Sequence, residues 1–213
     1  MPKSLALRLL APGLEARSHL LARQGALDVL VAELGQGRLH AVLSDEPAPE
    51  GAARRVFSHL LGESTILLYA APALARVHRR SFPDTLASAP FLLPAQGQSL
   101  RRQIDRWLAD KGLRVGIVGE FDDAGMMRVA GAAGMGLLPV RAALRAEVED
   151  AHAMEFVGHL DGLVERYYVL SSERRTRHRA VTRIVEQARE GLAHTPGKKV
   201  AARPAPHSPK RRR

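Results

Sequence analysis

The chain contains no cysteine, and this single absence removes disulfide frameworks, thiolate zinc sites, iron–sulfur clusters and thiol nucleophiles together. A reducing cytosol is the compartment that suits such a composition. Long apolar runs are missing too: Ser4 to Leu10 is interrupted by Arg8 and has neither a basic start nor a small-residue cleavage site. It therefore reads as neither a signal peptide nor a membrane span. No serine sits in a G-x-S-x-G elbow. The nine histidines are scattered with no ligand pair at helical spacing, so no metal site is expected. The glycines of Gly131-Ala132-Ala133-Gly134-Met135-Gly136 follow a predicted helix and precede a predicted strand, the reverse of a dinucleotide fingerprint. No repeat recurs at solenoid periods. Catalysis and a cofactor are both unexpected, and the chain reads as a binding protein.

What is present is an ordinary core-forming composition. With 213 residues, 46% of them hydrophobic, the chain can bury one large or two small domains. Its net charge of +10 is unevenly placed. Pro196 to Arg213 holds seven basic residues and no acid, leaving the body about +3 (10 minus 7) with no single-sign field. The tail, residues 196–213, is expected to be disordered. It serves as a solvated extension or makes weak, salt-sensitive contact with nucleic-acid phosphates.

Along the body, helices and strands alternate. Leu5, Leu9 and Leu14 mark a first helix opened by Pro2 and Ser4. His19 to Ala22 reads as a strand, Leu27 to Leu34 as a helix stopped by Gly35-Gln36-Gly37, and Leu39 to Leu43 as a strand. Such alternation favours a parallel sheet with helices on its faces. Arg55 to Leu61 and Thr65 to Tyr69 read as two strands parted by a Gly62-Glu63 turn. A loop follows, then strand Phe91 to Leu93, helix Leu100 to Lys111 with Trp107 in its apolar stripe, strand Val115 to Val118, helix Ala124 to Ala133, strand Met135 to Leu138 and helix Arg141 to Val148. Strands at Phe156-Val157 and Leu163 to Leu170 and helix Ala180 to Leu192 close the chain. This order gives two α/β lobes, residues 1–69 with 157–195 and residues 70–156. Two strands cross between them, near Leu67 to Ala70 and Tyr168 to Ser171.

The polar chemistry gathers where strands meet helices. Asp122 and Asp123 end an apolar strand before a helix, where a carboxylate caps free N–H groups. One is expected to cap while the other faces a cleft. Gln96-Gly97-Gln98-Ser99 precedes a helix and offers backbone N–H groups to an anion or caps the helix through Gln98 or Ser99. Ser4 stands in the matching place on the other lobe. Asp28, near a helix start, and Asp45, at a strand end, are further oxygen donors.

In order and spacing, Leu43-Ser44-Asp45, Tyr69-Ala70-Ala71-Pro72, Phe91-Leu92-Leu93-Pro94, Arg101 to Leu113 around Trp107, Gly119-Glu120-Phe121-Asp122-Asp123 and Glu173-Arg174-Arg175 resemble the effector-binding region of LysR-type transcriptional regulators. The resemblance is in particular to the subgroup that activates sodium/proton antiporter genes and runs from about Pro2 to His194. One departure is His178-Arg179, where the family would place a proline after the histidine. The resemblance implies a two-lobed fold like the type 2 periplasmic binding proteins, with a small molecule or ion held between lobes by Ser4, Asp45, Gln98, Ser99, Asp122 and Asp123. It also implies sodium sensing, for which Asp28 is a further candidate, because hard cations want several oxygens. It places a winged helix-turn-helix upstream, so DNA would be read only through a segment missing from this chain, and it implies homo-oligomers paired through the effector lobes. The first strand of the first lobe would also be missing, leaving its two sheet neighbours with unpaired groups at about 1 to 3 kcal/mol each if buried. A stand-alone cytoplasmic small-molecule-binding protein of the same fold is the alternative.

Overall fold

The computed structural model describes residues 1–15, 19–51, 56–172 and 178–193. The basic tail from Pro196, the Arg55 start of a predicted strand and Glu173-Arg174-Arg175 lie outside the described residues. In chain order the elements are α1 (Lys3–Glu15), α2 (Leu27–Gly35), β1 (Val42–Ser44), β2 (Phe57–Ala70), α3 (Pro72–Arg79), β3 (Pro90–Pro94), α4 (Ser99–Asp110), β4 (Gly116–Phe121), α5 (Ala124–Ala132), β5 (Leu138–Arg141), α6 (Arg145–His152), β6 (Glu155–Ser171) and α7 (Arg179–Ala193). No helix among the described residues is long and apolar enough to cross a membrane.

Two long strands organise the rest. β2 and β6 pair antiparallel from Phe57 opposite Ser171 to Ala70 opposite Glu155. β1 joins the free side of β6 and β5 the free side of β2, in the order β1-β6-β2-β5 with every pair antiparallel. Among the described residues, parallel pairing is confined to β3 with β4 and to a bridge from Phe91 to Leu137. The expected parallel main sheet is therefore corrected. Alternation of helices and strands tells where elements lie along the chain, but not that β6 returns beside β2 about a hundred residues later.

Apolar faces then dictate the packing. In α7, Val181, Ile184, Ala188 and Leu192 recur at helical spacing and are buried against Leu5 and Leu9 of α1. The same core runs on to Met127 and Ala130 of α5, Leu138 and Val140 of β5, and Val148 of α6. On the other side, Ile66 and Leu68 of β2 pack with β3, with Leu100, Ile104 and Trp107 of α4, and with Leu160 and Leu163 of β6. A smaller cluster holds α2 to β1 through Val31, Leu34 and Val42.

Several predicted boundaries move, each for a physical reason. His19 to Ala22 is not a strand, and Leu21 is 75% exposed. An apolar run becomes a strand only where a neighbour takes its N–H and C=O groups. β6 is paired on both sides, and β1 stands at the sheet edge. Gly62 is not a turn. β2 continues through it with a register shift between Leu60 and Gly62, and a Cβ there would lie 2.5 Å from Leu192 Cβ of α7, so the glycine admits a helix. The two predicted strands before α7 are one irregular strand. Gly162 takes φ +83° where the register slips opposite Thr65 to Leu67, and Trp107 Nε1 donates to Asp161 O at 2.9 Å beside it. Leu67 to Ala70 lies opposite Glu155 to His159, and Tyr168 to Ser171 opposite Phe57 to Leu60, so the two segments read as crossing strands are not side by side. Helix α3 replaces part of the predicted loop, with Pro72 at its first turn. The strand predicted at Met135 to Leu138 lies at Leu138–Arg141, where the sheet edge tolerates Pro139, and a 3-10 turn precedes α6.

One ionic group is sealed inside. Arg141 of β5 reaches past β2 to Glu165 of β6, with Nε at 2.5 Å and Nη2 at 2.8 Å, and the Tyr167 hydroxyl donates to the same carboxylate at 2.7 Å. All three side chains are buried. Burial opposes the charge on Arg141, but the Glu165 carboxylate more than offsets it and holds the guanidinium pKa above its ordinary value. Burial, followed by the Glu165 charge, pushes the Tyr167 phenol up. Replacing Glu165 by Gln strands a buried cation and is expected to cost about 3 to 5 kcal/mol, seen as a lower urea midpoint at unchanged slope. The triple replacement Arg141→Met, Glu165→Leu, Tyr167→Phe, which removes charge and partner together, is expected to cost less than Glu165→Gln alone.

Candidate functional site

The first turn of α1 faces the first turn of α5. Asp123 occupies the N-cap of α5 and accepts the Met126 N–H at 2.9 Å, because its extended backbone aims a short carboxylate at the free N–H groups. Its other oxygen accepts from Lys3 Nζ at 2.8 Å, which joins the two helix starts. The Lys3 hydrogen bond, followed by the Met126 N–H, pulls the Asp123 carboxyl down to about 2. Of the predicted pair, Asp123 is thus the cap and Asp122 is exposed. A second link runs from Glu46, just past β1, to Arg102 on α4, and Arg102 also donates to Gly97 O.

The other predicted residues fall as follows. Gln98 occupies the N-cap position of α4 without capping it. Its amide instead donates to Phe121 O at 3.3 Å and Asp122 O at 3.2 Å, tying the start of α4 to the end of β4. Ser99 is the first residue of α4 and accepts from Gln103 at 3.5 Å. Neither side chain caps the helix, because a longer amide reaches the neighbouring strand and the serine lies inside the first turn. Ser4, on the first turn of α1, lies 3.4 Å from Arg128 Nη1 of α5. Asp45 pairs with the Met1 amine at 3.1 Å. Asp28 is exposed in the first turn of α2, whose N-cap is Ala26. Among the described residues no three His, Cys, Asp or Glu side chains are grouped to hold a metal ion, so these aspartates do not form one cage.

Between the starts of α1 and α5 and the strand β5 lies a depression lined by Pro2, Ala124, Met127, Arg128, Pro139, Val140, Arg141 and Leu144. Sequence reasoning missed Lys3, Glu46, Arg102 and Arg128. The signal for Lys3 was available, since it heads α1 as Asp123 heads α5. For Arg128 there was none beyond its place beside the apolar stripe of Met127 and Ala130. Hydrogen-bond donors, apolar walls and paired charges at facing helix starts suit retention of a small polar ligand, and they do not assemble a nucleophile with a base.

The LysR substrate binding domain family model matches residues 6–193. The transcriptional activator protein NhaR of Escherichia coli (strain K12) is 26% identical over 166 residues, 78% of this chain and 54% of NhaR, so the chain spans about half the length of the curated relatives it matches. Among solved structures, the apo regulatory domain of HypT from Salmonella typhimurium superposes with a TM-score of 0.63 at 20% identity, over 88% of this chain and 90% of that one. The effector binding domain of QuiR in complex with shikimate does so with a TM-score of 0.62 at 16% identity, over 89% and 91%. These likenesses establish the fold, two α/β lobes of the type 2 periplasmic-binding-protein kind. LysR substrate-binding domains are regulatory ligand-binding parts of transcription factors, not enzymes, and with the family match running through nearly every described element this chain belongs to the LysR substrate-binding domain family.

Proposed function

We propose that this chain is the effector-sensing part of a LysR-type transcriptional activator controlling a sodium/proton antiporter gene. Its effector lies between the start of α1 and the β1 end on one side and the starts of α4 and α5 on the other. The observation that carries the reading is the Lys3–Asp123 contact at 2.8 Å, which brings two helix starts from distant parts of the chain face to face over a lined depression. On this reading Ser4, Asp45, Gln98, Ser99, Asp122 and Asp123 are the residues that meet the effector. The similarity to NhaR supports the antiporter link. Ligand binding changes the balance between arrangements of the two sides, since a ligand shifts an equilibrium by its differential affinity for the two states. Promoter DNA is contacted by a segment outside this chain.

The same reading pairs two copies. Leu7 and Leu14 on α1, and Ile117, Val118, Met126, Val129 and Met135 on β4, α5 and the turn after it, are exposed large apolar side chains. We assign these side chains to an association surface, the role that exposed apolar area serves where it is contiguous. Val118→Lys is expected to lower the mass in sedimentation equilibrium to that of one chain, while far-UV circular dichroism stays unchanged.

The contact between helix starts has its own signature. Because the folded carboxyl of Asp123 titrates at about 2 against an ordinary 3.8, its stabilising contribution is present above about pH 4 and is lost as the pH falls toward 2. In Lys3→Ala the Asp123 midpoint, followed by carboxyl NMR, is expected to rise without reaching 3.8, because the Met126 N–H remains. In the full-length regulator, Asp123→Ala and Lys3→Ala are expected to change the induction ratio of an antiporter-promoter reporter. Unchanged induction in both variants would count against the cleft as the sensing site.

A further inference from the structure

We propose that Met126 and Met135 form an oxidation site, at which a two-electron oxidant of the hypochlorous acid class converts both thioethers to sulfoxides and so loosens the pairing of two copies. This rests on the pairing read above and adds a means of regulating that surface.

With no cysteine, the sulfur of the chain resides in five methionines. Met127 and Met154 are each 2% exposed and lie in the core built on α1 and α7, with Met1 half-buried against it. Met126 and Met135 are 64% and 60% exposed. The backbone of each is fixed. Met126 stands in the first turn of α5, where its N–H is held by the Asp123 cap at 2.9 Å. Met135 follows the helix end: the chain passes through Gly134 at φ +82°, and the Met135 N–H returns to Ala130 O at 3.1 Å, the bond that closes a helix through a left-handed glycine. The outer face of α5 between them carries no charge. Met127, Ala130 and Gly131 are buried, Met126 and Val129 are exposed three residues apart on one side of the helix, and the only charged residue from Ala124 to Ala132 is Arg128, which is 13% exposed and lies 3.1 Å from Glu147. Ile117 and Val118 of β4 are exposed as well. A surface helix ordinarily turns charge toward water, and α5 turns thioether and hydrocarbon.

A thioether has no proton to lose before it reacts, so access decides which methionine is oxidised. The sulfur lone pair attacks the chlorine of hypochlorous acid, and water delivers the oxygen. One thioether and one hypochlorous acid give one sulfoxide, one chloride and one proton, with sulfur losing the two electrons that chlorine gains. Met126 and Met135 are open to this attack in the unpaired chain, and the buried Met127 and Met154 are shielded. Each sulfoxide replaces an apolar group by a strong dipole with an acceptor oxygen. Methionine, valine and isoleucine carry no side-chain donor, so the face made by Met126, Val129, Met135, Ile117 and Val118 has none to offer it. A second copy could then be seated only with S=O groups left without partners. Oxidation of the unpaired chain therefore draws the equilibrium toward single chains. Enzymatic reduction returns the thioether, which makes the change reversible.

The test titrates the full chain with hypochlorous acid, maps the added oxygens by peptide mass spectrometry and follows pairing by sedimentation equilibrium, with far-UV circular dichroism as the check on folding. The first two oxygens are expected at Met126 and Met135, ahead of Met127 and Met154. Pairing is expected to weaken about tenfold or more for each sulfoxide while the circular dichroism is unchanged, and methionine sulfoxide reductase with a thiol is expected to restore it. Met126→Leu with Met135→Leu keeps the apolar face and is expected to pair as before and to stay paired through the titration. Met126→Gln with Met135→Gln is expected to weaken pairing without any oxidant. Oxygen arriving first at Met127 or Met154, an oxidised chain that pairs as tightly as the untreated one, or a double leucine variant released as readily as the parent chain would each overturn the proposal. If the untreated chain sediments as a single copy at every concentration, the pairing reading falls and the oxidation switch with it. If untreated and oxidised chains pair equally, the pairing stands and the switch alone falls.

Discussion

The antiparallel ladder between β2 and β6 is the constraint on which the molecule hangs. Each strand contributes to both large cores: Leu61, Leu67, Tyr167 and Val169 enter the one built on α1 and α7, while Ile66, Leu68, Val157 and Leu160 enter the one built on α4. A slip of one residue would turn every one of these side chains to the opposite face. The Arg141–Glu165 pair adds a second condition, because a buried carboxylate displaced from its guanidinium would be unpaired in a dry interior. The bulge at Gly162, fastened by Trp107, takes up the irregularity without breaking the ladder.

Against that fixed ladder, the contacts at the site are of a different strength. Lys3–Asp123 and Glu46–Arg102 are exposed ion pairs, weak in water and weakened further by salt. Contacts that weak are readily exchanged for contacts with a ligand, whereas the ladder and its buried pair are not. The molecule thus combines one rigid axis with an easily rearranged facing of helix starts, which is the division of labour a sensing domain needs. The buried Nε of Arg128, without an acceptor among the described residues, lies beside the first turn of α1.

Much of the local structure was legible in the residues. The 3.6-residue recurrence of Leu5 and Leu9, of Leu100, Ile104 and Trp107, and of Val181, Ile184 and Ala188 placed α1, α4 and α7. The apolar runs at Phe91 to Leu93 and Ile117-Val118 placed β3 and β4, and the strand-to-helix position of Asp122-Asp123 located a cap. Glycines misled where they served packing: Gly62 looks like a turn and is a gap for Leu192. Gln98 and Ser99 have capping chemistry in the right place, yet the structure gives Gln98 to the carbonyls at the end of β4.

Taken alone, the sequence determined the absence of thiol chemistry, most of the order of helices and strands, most inward faces and the family, because all of these depend on residue type and short-range periodicity. Tertiary structure decided which strands are neighbours, that the main sheet is antiparallel, that Arg141 is neutralised by Glu165, that Lys3 reaches Asp123, and that Arg128 Nε meets no acceptor among the described residues. Each of these is a meeting between residues at least 24 positions apart, or the failure of one. Such meetings are selected by the packing free energy of the whole chain, and no local window of sequence contains it.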